Sequence, residues 1–167
     1  AFTLNVSIDQ EISCFGYNDG SIQAIATGTG PFTYILDQTT VNNSTGFFSG
    51  LTPGLHTVCA IAGLAISCQT ITLVEPAPLD VDFVTDSMVS CLGNDGVLSA
   101  NISGGTNLLQ GYLTWWTYAS GPNIGDTIND ILNNNFSLTE YNLPNQLYNV
   151  SIEDDHGCFY NENGTIQ

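Results

Sequence analysis

The chain has no lysine and no arginine, against 16 aspartates and glutamates in 167 residues. Average soluble domains are about a quarter charged, with both signs present. The absence excludes whole classes of function. There is no P-loop lysine, no arginine clamp for phosphate, no Schiff-base lysine and no lysine for an isopeptide crosslink. Nucleic acid is excluded as a partner, because binding a duplex is largely phosphate neutralisation by Lys and Arg. An anionic membrane surface is excluded on the same ground. Neutral partners remain, such as glycans and other protein surfaces, together with cations such as Ca²⁺.

Other features are scarce as well. No apolar run approaches the roughly 18 residues that cross a membrane as a helix. The start, Ala1-Phe2-Thr3-Leu4, has no positive stretch and reads as an already mature end. No segment has a convincing helical period, and Ile124 to Asn133 reads as a loop. The five cysteines form no Cys-x-x-Cys pair, which argues against a zinc site. Dispersed cysteines in an acidic chain rich in Asn and Thr point instead to disulfides and an oxidising compartment. There are two histidines and no nucleophile-elbow sequence, so catalysis is not expected.

What is present is the diet of short strands and tight turns. Hydrophobic residues make up 43% of the chain, with 17 Gly and six Pro. The chain also repeats itself. Ser13-Cys14-Phe15-Gly16-Tyr17-Asn18-Asp19-Gly20 is echoed by Ser90-Cys91-Leu92-Gly93-Asn94-Asp95-Gly96. An alternating strand follows each, then a Gly-rich turn and an aromatic strand. Those strands are Phe32-Thr33-Tyr34-Ile35-Leu36 and Tyr112-Leu113-Thr114-Trp115-Trp116. Leu51-Thr52-Pro53-Gly54 and Leu143-Pro144-Asn145 each open a further alternating strand, and each copy then reaches a cysteine, Cys68 or Cys158. The linker Val74-Glu75-Pro76-Ala77-Pro78 divides the chain into domains at 1–77 and 78–167. Short period-2 strands between regular turns predict two tandem all-β sandwiches.

These residues resemble a known family. Cys-x-Gly-x-Asn-Asp-Gly, the Gly-x-Gly-Pro-Phe-x-Tyr strand, Leu-x-Pro-Gly and the closing Thr-Ile-Thr-Leu-x-Glu-Pro are similar to the SprB-type repeat. That repeat occurs in gliding-motility adhesins and other large cell-surface proteins of Bacteroidetes. The resemblance implies an Ig-like β-sandwich, an extracellular location and no catalytic site. The family closes each unit with Asp-x-x-Gly-Cys. The second copy keeps it as Asp154-Asp155-His156-Gly157-Cys158, whereas the first has Gly63-Leu64-Ala65-Ile66-Ser67-Cys68. The second copy also carries a longer insertion between Tyr118 and Phe136.

Equivalent positions in the two copies suggest the disulfides Cys14–Cys68 and Cys91–Cys158. Cys59 then remains as a buried free thiol. A Cys59–Cys68, Cys14–Cys59 or intermolecular bond is the alternative. Seven Asn-x-Ser/Thr sequons stand at Asn5, Asn42, Asn43, Asn101, Asn135, Asn149 and Asn163. They read as glycosylation sites or as the chance product of an Asn-, Ser- and Thr-rich chain.

Other candidates carry two readings each. Asn18-Asp19-Gly20 and Asn94-Asp95-Gly96 offer oxygens to Ca²⁺, yet they are ordinary turn sequences. Asp154 and Asp155, beside Glu153, are the better Ca²⁺ ligands, although calcium-loop spacing is absent. Ca²⁺ is the one cofactor left open. Of Trp115 and Trp116, alternation sends one to the core and leaves the other as a platform for a sugar or a partner chain. His56 aligns with Tyr148 and reads as a core or corner residue. Phe2, Leu4, Val6 and Ile8 alternate strictly, and the last strand of the second copy ends early. The N-terminal strand of a neighbouring copy could fill that edge and build a filament. The alternative is that residues 2–8 are the first strand of their own domain. The reading as a whole is a non-catalytic extracellular structural or adhesive protein, a cell-surface filament subunit whose partners are copies of itself, with a carbohydrate-binding module or adhesin spacer as the alternative.

Overall fold

The computed structural model describes residues 1–38, 43–91, 93–106, 112–133 and 137–166, with backbone alone for 129–133 and 137. The chain divides into two compact units, Ala1–Pro76 and Ala77–Gln167. Unit one holds β1 (Phe2–Gln10), β2 (Gly20–Gly28), β3 (Thr33–Leu36), β4 (Phe47–Leu51), β5 (Gly54–Ala62) and β6 (Ala65–Leu73). Its sheets are β1-β2-β4 and β3-β5-β6, antiparallel throughout. The chain therefore changes sheet at β2–β3, β3–β4 and β4–β5, which is Ig-like sandwich topology.

Alternation decides which residues fill the space between the sheets. Leu4, Ile22, Ala24 and Leu51 from one sheet meet Tyr34, Val58, Ala60 and Leu73 from the other in one buried cluster. Neighbours of opposite parity point to solvent.

Unit two repeats the plan with β7 (Asp80–Ser87), β8 (Gly96–Ser103), β9 (Tyr112–Tyr118), β10 (Thr127–Asn133), β11 (Ser137–Leu143), β12 (Leu147–Glu153) and β13 (Phe159–Thr165). Its sheets are β11-β8-β7 and β10-β9-β12-β13. Tyr112, Thr114 and Trp116 point inward from β9, and Trp116 meets Phe83 of β7 edge to face at 5.9 Å. The insertion after Tyr118 is thus an added strand, where a loop was expected. β10 pairs with β9 from Thr127 opposite Thr117 to Asn133 opposite Tyr112. Its Asn- and Asp-rich sequence has low strand propensity, and a register shift between Thr127 and Asn129 breaks its alternation.

The disulfides also differ from expectation. Cys59 and Cys68 face each other across the β5–β6 ladder, with Cα atoms 4.0 Å apart, and are bonded. Cys59 is therefore not a free thiol, and Cys14–Cys68 is not formed. Cys91 carries an exposed free thiol, so Cys91–Cys158 is not formed either. Neither Cys14 nor Cys158 is a free thiol. Matching the two copies position by position treated Cys59 as dispensable, because unit two has Ser151 there. Strand register overrides that analogy: Cys59 and Cys68 are directly opposed, which brings their Cβ atoms within bonding reach.

The bond closes a short hairpin, so its chain-entropy gain is below the ~3 kcal/mol of a 15-residue loop. Changing Cys59 and Cys68 together to serine is expected to cost about 2–3 kcal/mol. Near-ultraviolet dichroism of the tyrosines in unit one should report the loss. Both tryptophans lie in unit two, so the fluorescence midpoint should stay where it is.

Candidate functional site

The acidic motifs are turned inward, onto the backbone. In the first turn, Asp19 accepts the Ser13 N–H at 3.1 Å and is also hydrogen-bonded by the Ser13 hydroxyl. Gly16 takes a positive φ of 77° and donates its N–H to Glu75 Oε2 at 2.8 Å. The Glu of the closing Glu-Pro thus grips the Cys-x-Gly turn between β1 and β2 of the same unit. In unit two, Asp95 accepts the Ser90 N–H at 2.7 Å. Hydrogen bonds from the Ser90 hydroxyl and N–H hold the Asp95 carboxyl below the usual carboxylate range. The glycine after each Asp serves packing. A Cβ on Gly20 would lie 2.7 Å from Leu73 Cδ1 and 2.9 Å from Ile12 Cδ1. One on Gly96 would lie 2.9 Å from the Leu143 carbonyl oxygen and 3.0 Å from Ile166 Cγ2. Gly20→Ala is therefore expected to cost about 1–2 kcal/mol through overpacking, measurable as a shifted denaturant midpoint for unit one.

Asp154, a candidate calcium ligand, is buried and fully employed. Oδ1 accepts the N–H groups of His156 and Cys158, each at 2.9 Å. Oδ2 accepts the Thr106 N–H at 2.7 Å and the Thr106 hydroxyl at 3.0 Å. Gly157, at φ 79°, donates its N–H to the Asp154 carbonyl. This explains the Asp-x-x-Gly-Cys spacing: one carboxylate ties the turn to the neighbouring loop. The backbone N–H of Asp155 donates to the Thr106 carbonyl at 3.3 Å. Among the described residues, no three His, Cys, Asp or Glu side chains stand together as a metal site.

His56 and Tyr148 occupy matching corners. Each bonds a carbonyl four residues upstream: His56 Nε2 donates to Thr52 O at 2.8 Å, and the Tyr148 hydroxyl donates to Pro144 O. In unit two this is the tyrosine corner of Ig-like folds. In unit one a histidine replaces the tyrosine and adds a partner, with Nδ1 2.7 Å from Asp37 Oδ2. Burial pushes the Tyr148 phenol up to about 12. His56 is raised from 6.5: burial, the largest influence, pulls it down, but bonds to Thr52 and Asp37 outweigh it.

Of the two tryptophans, Trp116 is core and Trp115 is half-buried on the outer face of its sheet. The Trp115 ring lies 6.5 Å from that of Phe159, which is exposed. The N-terminal strand pairs with β2 of its own unit, from Phe2 opposite Gly28 to Gln10 opposite Ser21. Leu4 is buried, Phe2 and Val6 pack on the same core, and Ile8 lies at the partly exposed end. The last strand of unit two was expected to end early, but Ile166 is buried against Gly96 as Leu73 is against Gly20.

The sequons have different surroundings. Asn5, Asn101 and Asn163 are exposed. The Asn43 side chain is occupied: Nδ2 donates to Phe47 O at 2.6 Å, and Oδ1 accepts from Thr45 and Gly46. Asn149 Nδ2 donates to Asn163 Oδ1 at 3.0 Å. Asn42 and Asn135 lie outside the described residues.

The Ser13–Asp19 turn falls within a recognised segment. Residues 8–41 match the SprB repeat. The SprB segment runs from the end of β1 through the Asn18-Asp19-Gly20 turn and past β3, so it covers the first two of the motifs that carried the resemblance. No curated protein matches the chain. Solved structures similar to it include a two-domain fibronectin type III segment of chicken tenascin, at 12% identity and TM-score 0.41, covering 96% of this chain and 97% of that one. Domains 4 and 5 of the S-layer protein SbsC give 12% and 0.39, covering 98% and 97%. The chain spans 45% and 42% of two Dscam structures, at 13% and 12% identity and TM-score 0.39 in both. The SprB match and the disulfide support an extracellular, adhesion-type structural domain.

Proposed function

We propose that this chain is a non-catalytic structural module pair of an extracellular surface protein, holding or spacing an adhesive region. The SprB match over residues 8–41 carries the reading, because the motif residues of that segment serve the fold. Asp19 locks a turn, Gly16 and Glu75 tie the β1–β2 connection to the end of unit one, and Gly20 admits Leu73. None of them is left to address a substrate. The absence of Lys and Arg supports the same reading, since it removes every trypsin-type cleavage site from a surface-exposed chain.

Filament growth through the N-terminal strand is the weaker form of this proposal, since β1 completes its own sheet. The test is single-molecule pulling of the full chain, combined with antibody labelling of intact producing cells. Two separate unfolding events and surface label are expected. Label only after lysis, or extension without resistance, would overturn the proposal.

A second reading, carbohydrate binding, is favoured by the Trp115–Phe159 pair on an outer sheet face. Glycan-array binding that Trp115→Ala abolishes would select it.

A further inference from the structure

Charge is unevenly placed on this molecule. All 16 carboxylate side chains lie outside residues 38–74. That stretch includes both long strands of the β3-β5-β6 sheet. Its inward residues are Tyr34, His56, Val58, Ala60 and Leu73. The outward rows are therefore of opposite parity. Across β5 and β6 they pair Leu55 with Thr72, Thr57 with Thr70, Cys59 with Cys68 and Ile61 with Ile66. Ile35 of β3 lies beside Cys59. Asp37, whose carboxylate accepts the Thr57 N–H at 2.7 Å, borders these rows at the β3 edge, and no charged residue stands among the paired residues themselves. Leu55 is 68% exposed, Ile66 61%, and Leu64 at the hairpin tip is fully exposed. The matching face of unit two differs: Glu153 stands on β12 and Asp130 opposite Trp115.

We propose that the outer β3-β5-β6 face of unit one is a self-association surface, taking the same face of a second copy. The argument is electrostatic. At a net charge of −16, two copies repel through most approaches. The uncharged face is where apolar surface can be covered with the fewest carboxylates brought together. A second copy also presents a face of matching chemistry, as a two-fold contact requires. The face is small, about 30 Å by about 14 Å from strand rise and spacing. It is below the ~800 Å² per partner of a standard interface, so the association is weak. Salt should strengthen it, because screening shortens from about 10 Å at 0.1 M to about 3 Å at 1 M and relieves the repulsion elsewhere. This proposal goes beyond the module reading and does not depend on it.

Sedimentation of the full chain over a range of concentrations and NaCl provides the test. A monomer–dimer equilibrium that tightens with salt is expected. Leu55→Glu and Ile66→Glu should each weaken it at least about tenfold, since like charges would meet across the two-fold axis. Phe159→Glu on unit two should leave it unchanged. Both unit-one positions are exposed, so circular dichroism should remain native. Thr70→Glu serves if either variant misfolds. A monomer at every concentration, or a dimer indifferent to these changes or weakened by salt, would overturn the proposal.

Discussion

Replacing Asp154 with alanine is expected to destabilise unit two by about 3–5 kcal/mol, a large part of the stability of a small domain. The carboxylate accepts four hydrogen bonds and lies 7% exposed. Alanine removes the acceptor and leaves the N–H groups of Thr106, His156 and Cys158 without it. Bonds to a charged group contribute about 1.5–3 kcal/mol each, and the buried Cys158 N–H, once stranded, costs about 1–3 kcal/mol, although neighbouring terms do not add fully. Asp154→Asn should recover part of the loss: its Oδ1 can still accept from His156 and Cys158, while its amide nitrogen faces the Thr106 N–H. Tryptophan fluorescence during urea unfolding reads this directly, because Trp116 is buried in the same unit. Ca²⁺ should not shift the midpoint of the wild-type chain, since the carboxylate already has its partners. A loss below about 1 kcal/mol, or a midpoint raised by Ca²⁺, would refute this role.

The residues reveal much of this arrangement for a physical reason. Strands with one buried face alternate, so Phe2 to Ile8, the inward row of β5 and the Tyr112–Trp116 strand can be read directly. Strands that break alternation cannot. β4 contains Gly50 at φ 71° and meets a register shift at Gly20. β11 has a shift between Glu140 and Leu143, with Asn142 at φ 58°. Both end on the Leu that opens the following Leu-Thr-Pro or Leu-Pro turn, and neither reads as a strand from its sequence. The turn motifs were legible as turns, but the atoms they bind were not: Ser13 to Asp19 and Gly16 to Glu75 are contacts of tertiary structure. The cysteines show the limit of internal analogy. Two copies of one fold need not share a disulfide, because pairing depends on local register, and Cys59 has a partner only because Cys68 stands opposite it.

His56 is expected to make unit one more stable in mild acid. The Thr52 carbonyl can only accept, so Nε2 carries a proton. Nδ1 faces the Asp37 carboxylate and carries one too. Asp37 is the one charged group acting on the ring, and its other oxygen accepts the Thr57 N–H at 2.7 Å. Both partners favour the imidazolium, so the pKa of the ring is raised above 6.5 in the fold. The folded chain then holds a proton that the unfolded chain releases. This contribution is complete below about pH 6.5 and is lost as pH rises through the folded value. Replacing His56 with glutamine should cost about 2–4 kcal/mol near pH 5.5, from the broken pair and the orphaned Thr52 carbonyl. The cost should shrink toward pH 8.5. Tyrosine dichroism of unit one at the two pH values measures it, and an imidazole resonance titrating below 6.5 would contradict it. His56→Tyr separates the two functions of the ring. It carries the hydroxyl that Tyr148 uses against Pro144, so it should restore the corner bond and abolish the pH dependence.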